Sequence, residues 1–384
     1  MASRNDNPRT PPVRGEFLVP DYYAAFACKG GSCRSTCCAG WTVTVPMDQY
    51  FALANVSCGP ELRESIDRAF MPVLRPSPER FAEIRHDRDG RCKLLRPDGW
   101  CALHAACGED ALPSVCRYYP RGPRIDPIME SSCANSCERT LELLFEKPEP
   151  LRFERRELTF SMPFSPTATA PAEAAAYVRV RAFCLAILTD RAFPLQTRIL
   201  MVGKLLSALD RDPGVDPGTV DLSVPAFASD IPGTYRTMMN VGRWFIENNR
   251  SIAAFCESVE AYYVDGEIEA KYRAATAHFT AILPDHEILF EKMLVNDLFF
   301  RQFPRGDHGT GLSDEFTALA GTYVFIRFLA LNLMMTRTNR AEFVDIMAAT
   351  YRVVGHTRFD KNIVVLLRDE EASSFDALGT MLQA

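Results

Sequence analysis

The sequence predicts a mainly α protein in two parts: a cysteine-rich metal- or cluster-binding N-terminal module, then an α-helical domain. Three observations carry that expectation. Eleven of the 13 cysteines fall between Cys28 and Cys137. From about residue 173 onward, apolar residues recur at helical spacing. The alternating strands and helices of a doubly wound sheet are missing. The 384 residues are 47% hydrophobic and 24% charged, which leaves room for sizeable cores and excludes a long disordered or fibrous chain.

Taken in order, residues 1–19 are polar and proline-bearing, lack the apolar stretch of a signal peptide, and are expected to form a disordered tail. Residues 20–145 make the cysteine-rich module. Within it, residues 42–45 alternate as a strand does, and 61–71 predict a short helix. Ser77-Pro78-Glu79 offers a cap followed by proline at the first helical position, so a further helix is expected there. Residues 146–172 predict a connector with an extended segment over 151–162.

The α-helical domain is assigned to residues 173–384. Tyr177, Val180, Phe183, Cys184 and Leu188 share one helical face; Leu195, Ile199, Val202, Leu205, Leu206 and Leu209 share the next. A loop rich in Asp, Pro and Gly covers 210–225, and further helices are expected near 235–248, 251–274, 286–302, 314–336 and 340–354. Asn339 with Glu342 three residues on predicts a capping box for the last. The longest apolar run, 323–335, is interrupted by Arg327 and Asn332 and falls short of the roughly 18 residues of a membrane helix. No membrane partner is expected, and the cytoplasm is the default address. A net charge of −6 argues against nucleic acid as the main partner.

Three chemistries compete for cysteines at this density. Disulfides belong to oxidising compartments, and the odd total and the adjacent Cys37-Cys38 disfavour them. Structural zinc usually pairs cysteines as C-x2-C or C-x4-C. Here the pattern is C-x4-C-x3-C-C (Cys28, Cys33, Cys37, Cys38), then Cys92, Cys101 and Cys116, then C-x3-C (Cys133, Cys137). Only Cys28–Cys33 looks like a zinc knuckle, so the spacing favours an iron–sulfur cluster and leaves zinc open. Cys58, Cys107 and Cys133 read as buried or incidental thiols, and Cys184 and Cys256 as core residues.

The run Pro20-Asp21-Tyr22, Phe26, Cys28, Cys33, Cys37-Cys38-Ala39-Gly40-Trp41 resembles the opening motif of the flagellin lysine-N-methylase (FliB) family. A second block is similar too: Cys92-Lys93-Leu94-Leu95, Gly99-Trp100-Cys101-Ala102-Leu103, Gly108, Leu112 and Cys116-Arg117-Tyr118-Tyr119-Pro120-Arg121. Ser136-Cys137 resembles that family's step into a helix. The cysteine skeleton is also similar to the YkgJ-type family of zinc- or iron-chelating proteins. Leu294-Val295-Asn296, Phe303-Pro304, Tyr323, Arg327, Arg352 and His356 resemble later helical blocks. One departure is Val45-Pro46 with Asp48, where an Ile-Asp pair is expected.

The resemblance implies an iron–sulfur protein, of the 4Fe–4S kind, that methylates lysine side-chain amines of a flagellin-like protein with S-adenosylmethionine. It implies metal ligands among Cys28, Cys33, Cys37, Cys38, Cys92, Cys101, Cys116 and Cys137. Trp41 and Tyr118 then serve as hydrophobic cover for the cluster or as aromatic contacts to a sulfonium. Arg117 and Arg121 are candidates for the carboxylate of a bound amino-acid moiety. Arg327 and His356, polar residues on apolar helices, are the catalytic candidates. The cofactor's usual sequence routes are absent. Gly306, Gly309 and Gly311 follow a helix rather than a strand, and no C-x3-C-x2-C triplet occurs. The competing expectation is a non-catalytic zinc or iron–sulfur scaffold.

Overall fold

Short turns and small pairings build the first part of the chain, and long amphipathic helices build the rest. The computed structural model describes residues 12–125, 128–161, 171–248, 252–304 and 311–384. These divide into two units: one of residues 12–19, 23–133 and 153–161, the other of 20–22, 134–152 and 171–384.

The cysteine-rich unit contains β1 (Val13–Pro20), β2 (Thr44–Val45), α1 (Met47–Ala54), α2 (Pro60–Ala69), β3 (Phe70–Pro72), β4 (Ala82–Ile84), α3 (Ala102–Cys107), α4 (Ser114–Tyr118) and, later in the chain, β5 (Phe153–Phe160). β1 pairs with β5, and the Phe17 and Phe160 rings meet edge to face at 5.1 Å. β2, β4 and β3 form an antiparallel sheet with Thr44 opposite Glu83 and Phe70 opposite Ile84. Against it packs a small core of Val45, Leu53, Ile66, Ala69, Phe70, Ala82, Ile84, Leu94 and Leu103.

Two expectations change here. Residues 13–19, assigned to a disordered tail, form most of β1: Phe17 and Val19 are fully buried, and Leu18 exchanges backbone hydrogen bonds with Met129 and Ser131, both 3.0 Å. Residues 1–11 lie outside the described residues. No helix starts at Ser77. Its hydroxyl accepts from the Arg80 N–H (3.1 Å) and the Pro78 carbonyl accepts from Met47 (2.8 Å), so the chain turns straight into β4.

The helical unit carries α5 (Glu138–Phe145), α6 (Pro171–Thr189), α7 (Leu195–Arg211), α8 (Ile231–Asn248), α9 (Ala253–Tyr262), α10 (Ile268–Ile282), α11 (His286–Phe300), α12 (Leu312–Leu333), α13 (Arg340–His356), α14 (Phe359–Asp369) and α15 (Phe375–Leu382). The molecule is mainly α. Its axis is α12, about 33 Å long at ~1.5 Å per residue, on which α7, α9, α10, α13, α14 and α15 pack. From Asp314 to Leu333 every residue of α12 except Arg327 is buried. The segment Leu312–Thr336 has the length and apolarity of a membrane span, yet 89% of its apolar window is buried inside the unit, as in a core helix. Asn332, in the middle of that apolar run, accepts from the Tyr263 hydroxyl (2.6 Å) and donates to the Phe328 carbonyl (2.8 Å), which removes the cost of burying an amide.

The single helix expected over 251–274 is two. Gly266 and Glu267 take left-handed backbone angles (φ +86° and +55°), and the Lys271 ammonium binds the Tyr262 carbonyl (2.9 Å) and Asp265 at the break. The Asn339 capping box forms as expected: its carboxamide oxygen accepts from the Glu342 N–H (3.0 Å), and its amide reaches back to the Glu342 carboxylate (2.7 Å). Gly306 and Gly309 lie outside the described residues. Gly311 precedes α12, whose first N–H groups are capped by Asp210 (2.8 and 2.7 Å).

Candidate functional site

Four thiols of the cysteine-rich unit, those of Cys38, Cys92, Cys101 and Cys116, lie within electrostatic reach of one another on short, hydrogen-bonded pieces of backbone. The Cys92 N–H donates to the Cys38 carbonyl (2.7 Å), which fixes the first pair. Cys101 lies opposite Leu95 in an isolated bridge, across a turn closed by the Gly99 N–H on the Arg96 carbonyl (3.0 Å). Cys116 sits on α4, whose first residue, Ser114, donates its N–H and hydroxyl to the Gln49 side chain (2.8 and 3.1 Å).

The four thiols feel one another electrostatically: Cys116 interacts with Cys38, Cys92 and Cys101, Cys92 with Cys38 and Cys101, and Cys101 with Cys38. Backbone N–H groups aim at two of the sulfurs, from Leu94 and Leu95 to Cys92 and from Leu103 and His104 to Cys101. Burial pushes the Cys92 thiol up to about 11 and raises Cys101, with the neighbouring thiols adding to each shift; Cys116, on α4, is exposed at the surface. Such a set favours the protonated thiol until a cation offsets both burial and mutual repulsion; coordinating thiols then give up their protons. Thiols that receive N–H···S bonds have the donor chemistry of thiolate ligands. Among the described residues, no three His, Cys, Asp or Glu side chains are gathered so as to hold a single metal ion.

The other expected residues are distributed around this set or away from it. Cys28 is exposed, and its sulfur accepts from the Gly30 N–H (3.4 Å). The Cys33 N–H closes the same loop on the Gly30 carbonyl (3.2 Å). The Cys37 carbonyl accepts from the Trp41 indole (2.7 Å), whose ring packs edge to face on Tyr119 (4.9 Å). Cys137 falls in the helical unit, where it precedes α5. Arg117 is paired with Asp110 (2.8 Å) and lies over the Tyr118 ring (5.5 Å). Arg121 donates to the Phe26 carbonyl (3.2 Å) with the Phe26 and Tyr23 rings beside it (4.7 and 5.9 Å). The Tyr118 hydroxyl accepts from the Ser161 N–H (2.8 Å). Cys184 and Cys256 are buried among helices, as expected.

The helical unit holds a second polar group of residues. His356 shares a 2.7 Å hydrogen bond with the Ser136 hydroxyl. His356 is exposed as a residue, yet crowding of its ring by neighbouring atoms, and then Arg352, push its pKa down to about 4. Asn296 donates to Asn135 (2.7 Å) and accepts from the Tyr22 hydroxyl (2.7 Å), while Asn135 donates to the Met293 carbonyl (2.8 Å). The next residue on α11, the buried Asp297, pairs with Arg301 one turn further on (2.8 Å), which also faces Asp360 (3.6 Å). Arg327 occupies a different neighbourhood. Its guanidinium donates to the Ala384 carbonyl and lies beside Tyr272 and Tyr323. Sequence reasoning missed Asn135, Asp297 and Arg301. The available signal was the Asn-Asp pair inside the apolar run Leu294-Val295-Asn296-Asp297-Leu298.

Residues 181–383 match the FliB lysine N-methylase C-terminal domain. The chain belongs to that family. The matched FliB segment includes α7 through α15 and hence Asn296, Asp297, Arg301, Arg327, Arg352 and His356; the cysteine set lies upstream of it. The lysine-N-methylases of Salmonella typhimurium (strain LT2) and Salmonella choleraesuis are each 23% identical over 177 residues, or 44% of this chain. The chain spans 41% of the length of each of those relatives. The flagellar biosynthetic protein FliU of Salmonella muenchen is 26% identical over 106 residues, 27% of this chain and 60% of FliU. No solved structure matches.

Proposed function

We propose that this member of the FliB family is an iron–sulfur lysine N-methyltransferase that takes its methyl group from S-adenosylmethionine and acts on a flagellin-like protein. One observation carries the reading: Cys38, Cys92, Cys101 and Cys116 lie within electrostatic reach of one another in a chain whose helical unit belongs to a lysine N-methylase family. The names of the relatives, lysine-N-methylase and flagellar FliU, support the amine chemistry and the flagellar context.

Cys38, Cys92, Cys101 and Cys116 would hold the cluster, with Cys28, Cys33 and Cys37 on neighbouring loops of the same unit. Held by three of these thiolates, the cluster would leave one iron open to the amino and carboxylate groups of the methyl donor; held by all four, it would be structural. Trp41, packed on Tyr119 and tied to the Cys37 carbonyl, keeps water from the loop that carries Cys37 and Cys38. Lysine attacks only as the neutral amine, and its ordinary pKa is near 10.4, so the protein must desolvate it or accept a proton from it. His356, neutral and bonded to Ser136, would accept a hydrogen bond from the amine in this reading; with a pKa pushed down to about 4 it is a weak base, so desolvation supplies most of the neutral amine. Arg327 contributes a fixed positive charge between Tyr272 and the Ala384 carbonyl.

The test is anaerobic purification with iron and acid-labile sulfide counted per chain, followed by transfer of labelled methyl from S-adenosylmethionine to flagellin. Iron and sulfide in comparable amounts and labelled lysine support the proposal. Full zinc occupancy without iron overturns the cluster. A loaded cluster without any labelled lysine, on flagellin or on free amines, leaves a metal-binding scaffold instead. Arg327→Ala and His356→Ala are each expected to abolish transfer with iron content and helicity unchanged; full activity in both removes them from the reaction.

A further inference from the structure

Trp100 is among the few large apolar residues left exposed, at 44% of its surface, yet its ring is not idle. Gly30 and Gly31, at the tip of the Cys28–Cys33 loop, have no side chains, and the indole occupies the space. A methyl group added at Gly30 would lie 2.5 Å from the ring, and one added at Gly31 2.9 Å. Gly30 also has φ +55°, a conformation that side chains resist. The approach is close from the other side as well. A methyl group on Gly99 (φ +79°) would lie 2.8 Å from the Gly31 Cα. The two backbones therefore touch glycine to glycine, two residues before Cys101.

Each partner is stiffened locally. The Trp100 N–H donates to the Asp98 carboxylate (3.1 Å), and its carbonyl accepts from Arg96 (2.9 Å). The loop is closed by the Cys33 N–H on the Gly30 carbonyl (3.2 Å) and by the Gly30 N–H on the Cys28 sulfur (3.4 Å). Nothing in the amine chemistry above uses Trp100, and a half-exposed indole is a poor choice for stability alone. Its flat face matches what a loop without side chains at its tip presents.

We propose that Trp100 is a positioning residue: its indole clasps the Cys28–Cys33 loop against the turn that presents Cys101 and thereby slows loss of metal from the four-thiol set. The metal half of this proposal rests on the reading of Cys38, Cys92, Cys101 and Cys116 as a metal site; the clasp itself does not. Local opening of the loop, rather than global unfolding, is the event that Trp100 suppresses.

Two readouts on the full chain test it. The first is the rate of iron release to a ferrous-iron chelator under anaerobic reducing conditions. The second is trypsin cleavage after Lys29 and Arg34, which flank the loop tip, followed by mass spectrometry. Trp100→Ala is expected to load iron normally and melt unchanged, but to release iron and suffer cleavage at these two sites roughly tenfold faster. Trp100→Phe, which keeps a flat ring, should recover most of the protection. Should Trp100→Ala fail to fold, Trp100→Leu, which keeps apolar bulk without a flat ring, carries the same expectation. Cleavage in Trp100→Ala at the unmodified rate overturns the clasp. Faster cleavage with unchanged iron release shows a clasp that does not guard the metal and overturns that half. Unmodified protein that binds no iron defeats the metal-site reading instead, and the cleavage result still decides the clasp.

Discussion

The two units reach order by opposite routes. The helical unit is organised by burial: α12 is enclosed along nearly its whole length, and Phe325, Phe328, Phe290 and Tyr323 are almost inaccessible to solvent. Among the described residues, the cysteine-rich unit gathers nine buried residues around its three-stranded sheet, whose strands are two or three residues long. Small cores of that kind need a staple, and thiols within reach of one another are the material for one. The comparison teaches that similar losses of contact should have unequal consequences in the two units.

The largest effect is expected where the proposed metal staple is removed. Under the iron–sulfur proposal, Cys92→Ser or Cys116→Ser should lose nearly all iron and loosen the cysteine-rich unit, while the helical unit keeps its helicity and its cooperative melt. Iron analysis combined with hydrogen exchange, read unit by unit, checks this. Equal loss of protection in both units would erase the contrast.

Within the helical unit, Asp297→Ala is next. It leaves the Arg301 guanidinium inside the protein with Asp360 at 3.6 Å and the weaker influence of Glu315. Removing one partner of a buried pair costs about 3–5 kcal/mol, against ~0.3–0.5 for an exposed helix pair such as Arg63–Asp67. Chemical denaturation of Asp297→Ala beside Asp67→Ala measures the difference. A comparable small loss in both would show that Arg301 finds solvent.

Asn339→Ala should cost about 1 kcal/mol, the usual value of a lost N-cap. The loss should be confined to the first turn of α13, since both arms of the capping box lie there. Denaturant midpoints at constant slope report it; a loss several times larger would mean that the box braces more than its own helix.

The smallest effect is on pH dependence. His356 has a folded pKa of about 4, well below its ordinary 6.5, so the unfolded chain binds the extra proton between those values. Stability from this residue is therefore complete above pH 6.5 and is lost as pH falls toward 4. Its exposure lets solvent weaken the effect. Melting temperatures of His356→Gln, measured from pH 7 to 4, should fall less steeply than those of the unmodified protein; parallel curves would assign the acid sensitivity elsewhere.

Much of the helical unit was legible in the sequence. A 3.6-residue period repeated over long segments, with a capping box at Asn339, specifies α6 to α8 and α11 to α13 through local geometry alone. α14 and α15 were missed because they are short, and the break between α9 and α10 depends on the left-handed pair Gly266-Glu267. β1 was mistaken for tail because an edge pairing draws its hydrogen bonds from residues more than a hundred positions away, which no local pattern records.

The sequence by itself determined the density of cysteines, the helical periodicity and the family motifs, because each is written in neighbouring residues. Only the tertiary structure decided which thiols come within reach of one another. Cys38, Cys92, Cys101 and Cys116 are spread over 79 positions, and their approach depends on backbone bonds such as Cys92 to Cys38 and on the Gln49–Ser114 tie. The same holds for Asn296, which reaches Asn135 across 161 positions and Tyr22 across 274. Loop closure over such distances is governed by the packing of everything between, so spacing can nominate these residues and only the folded chain can pair them.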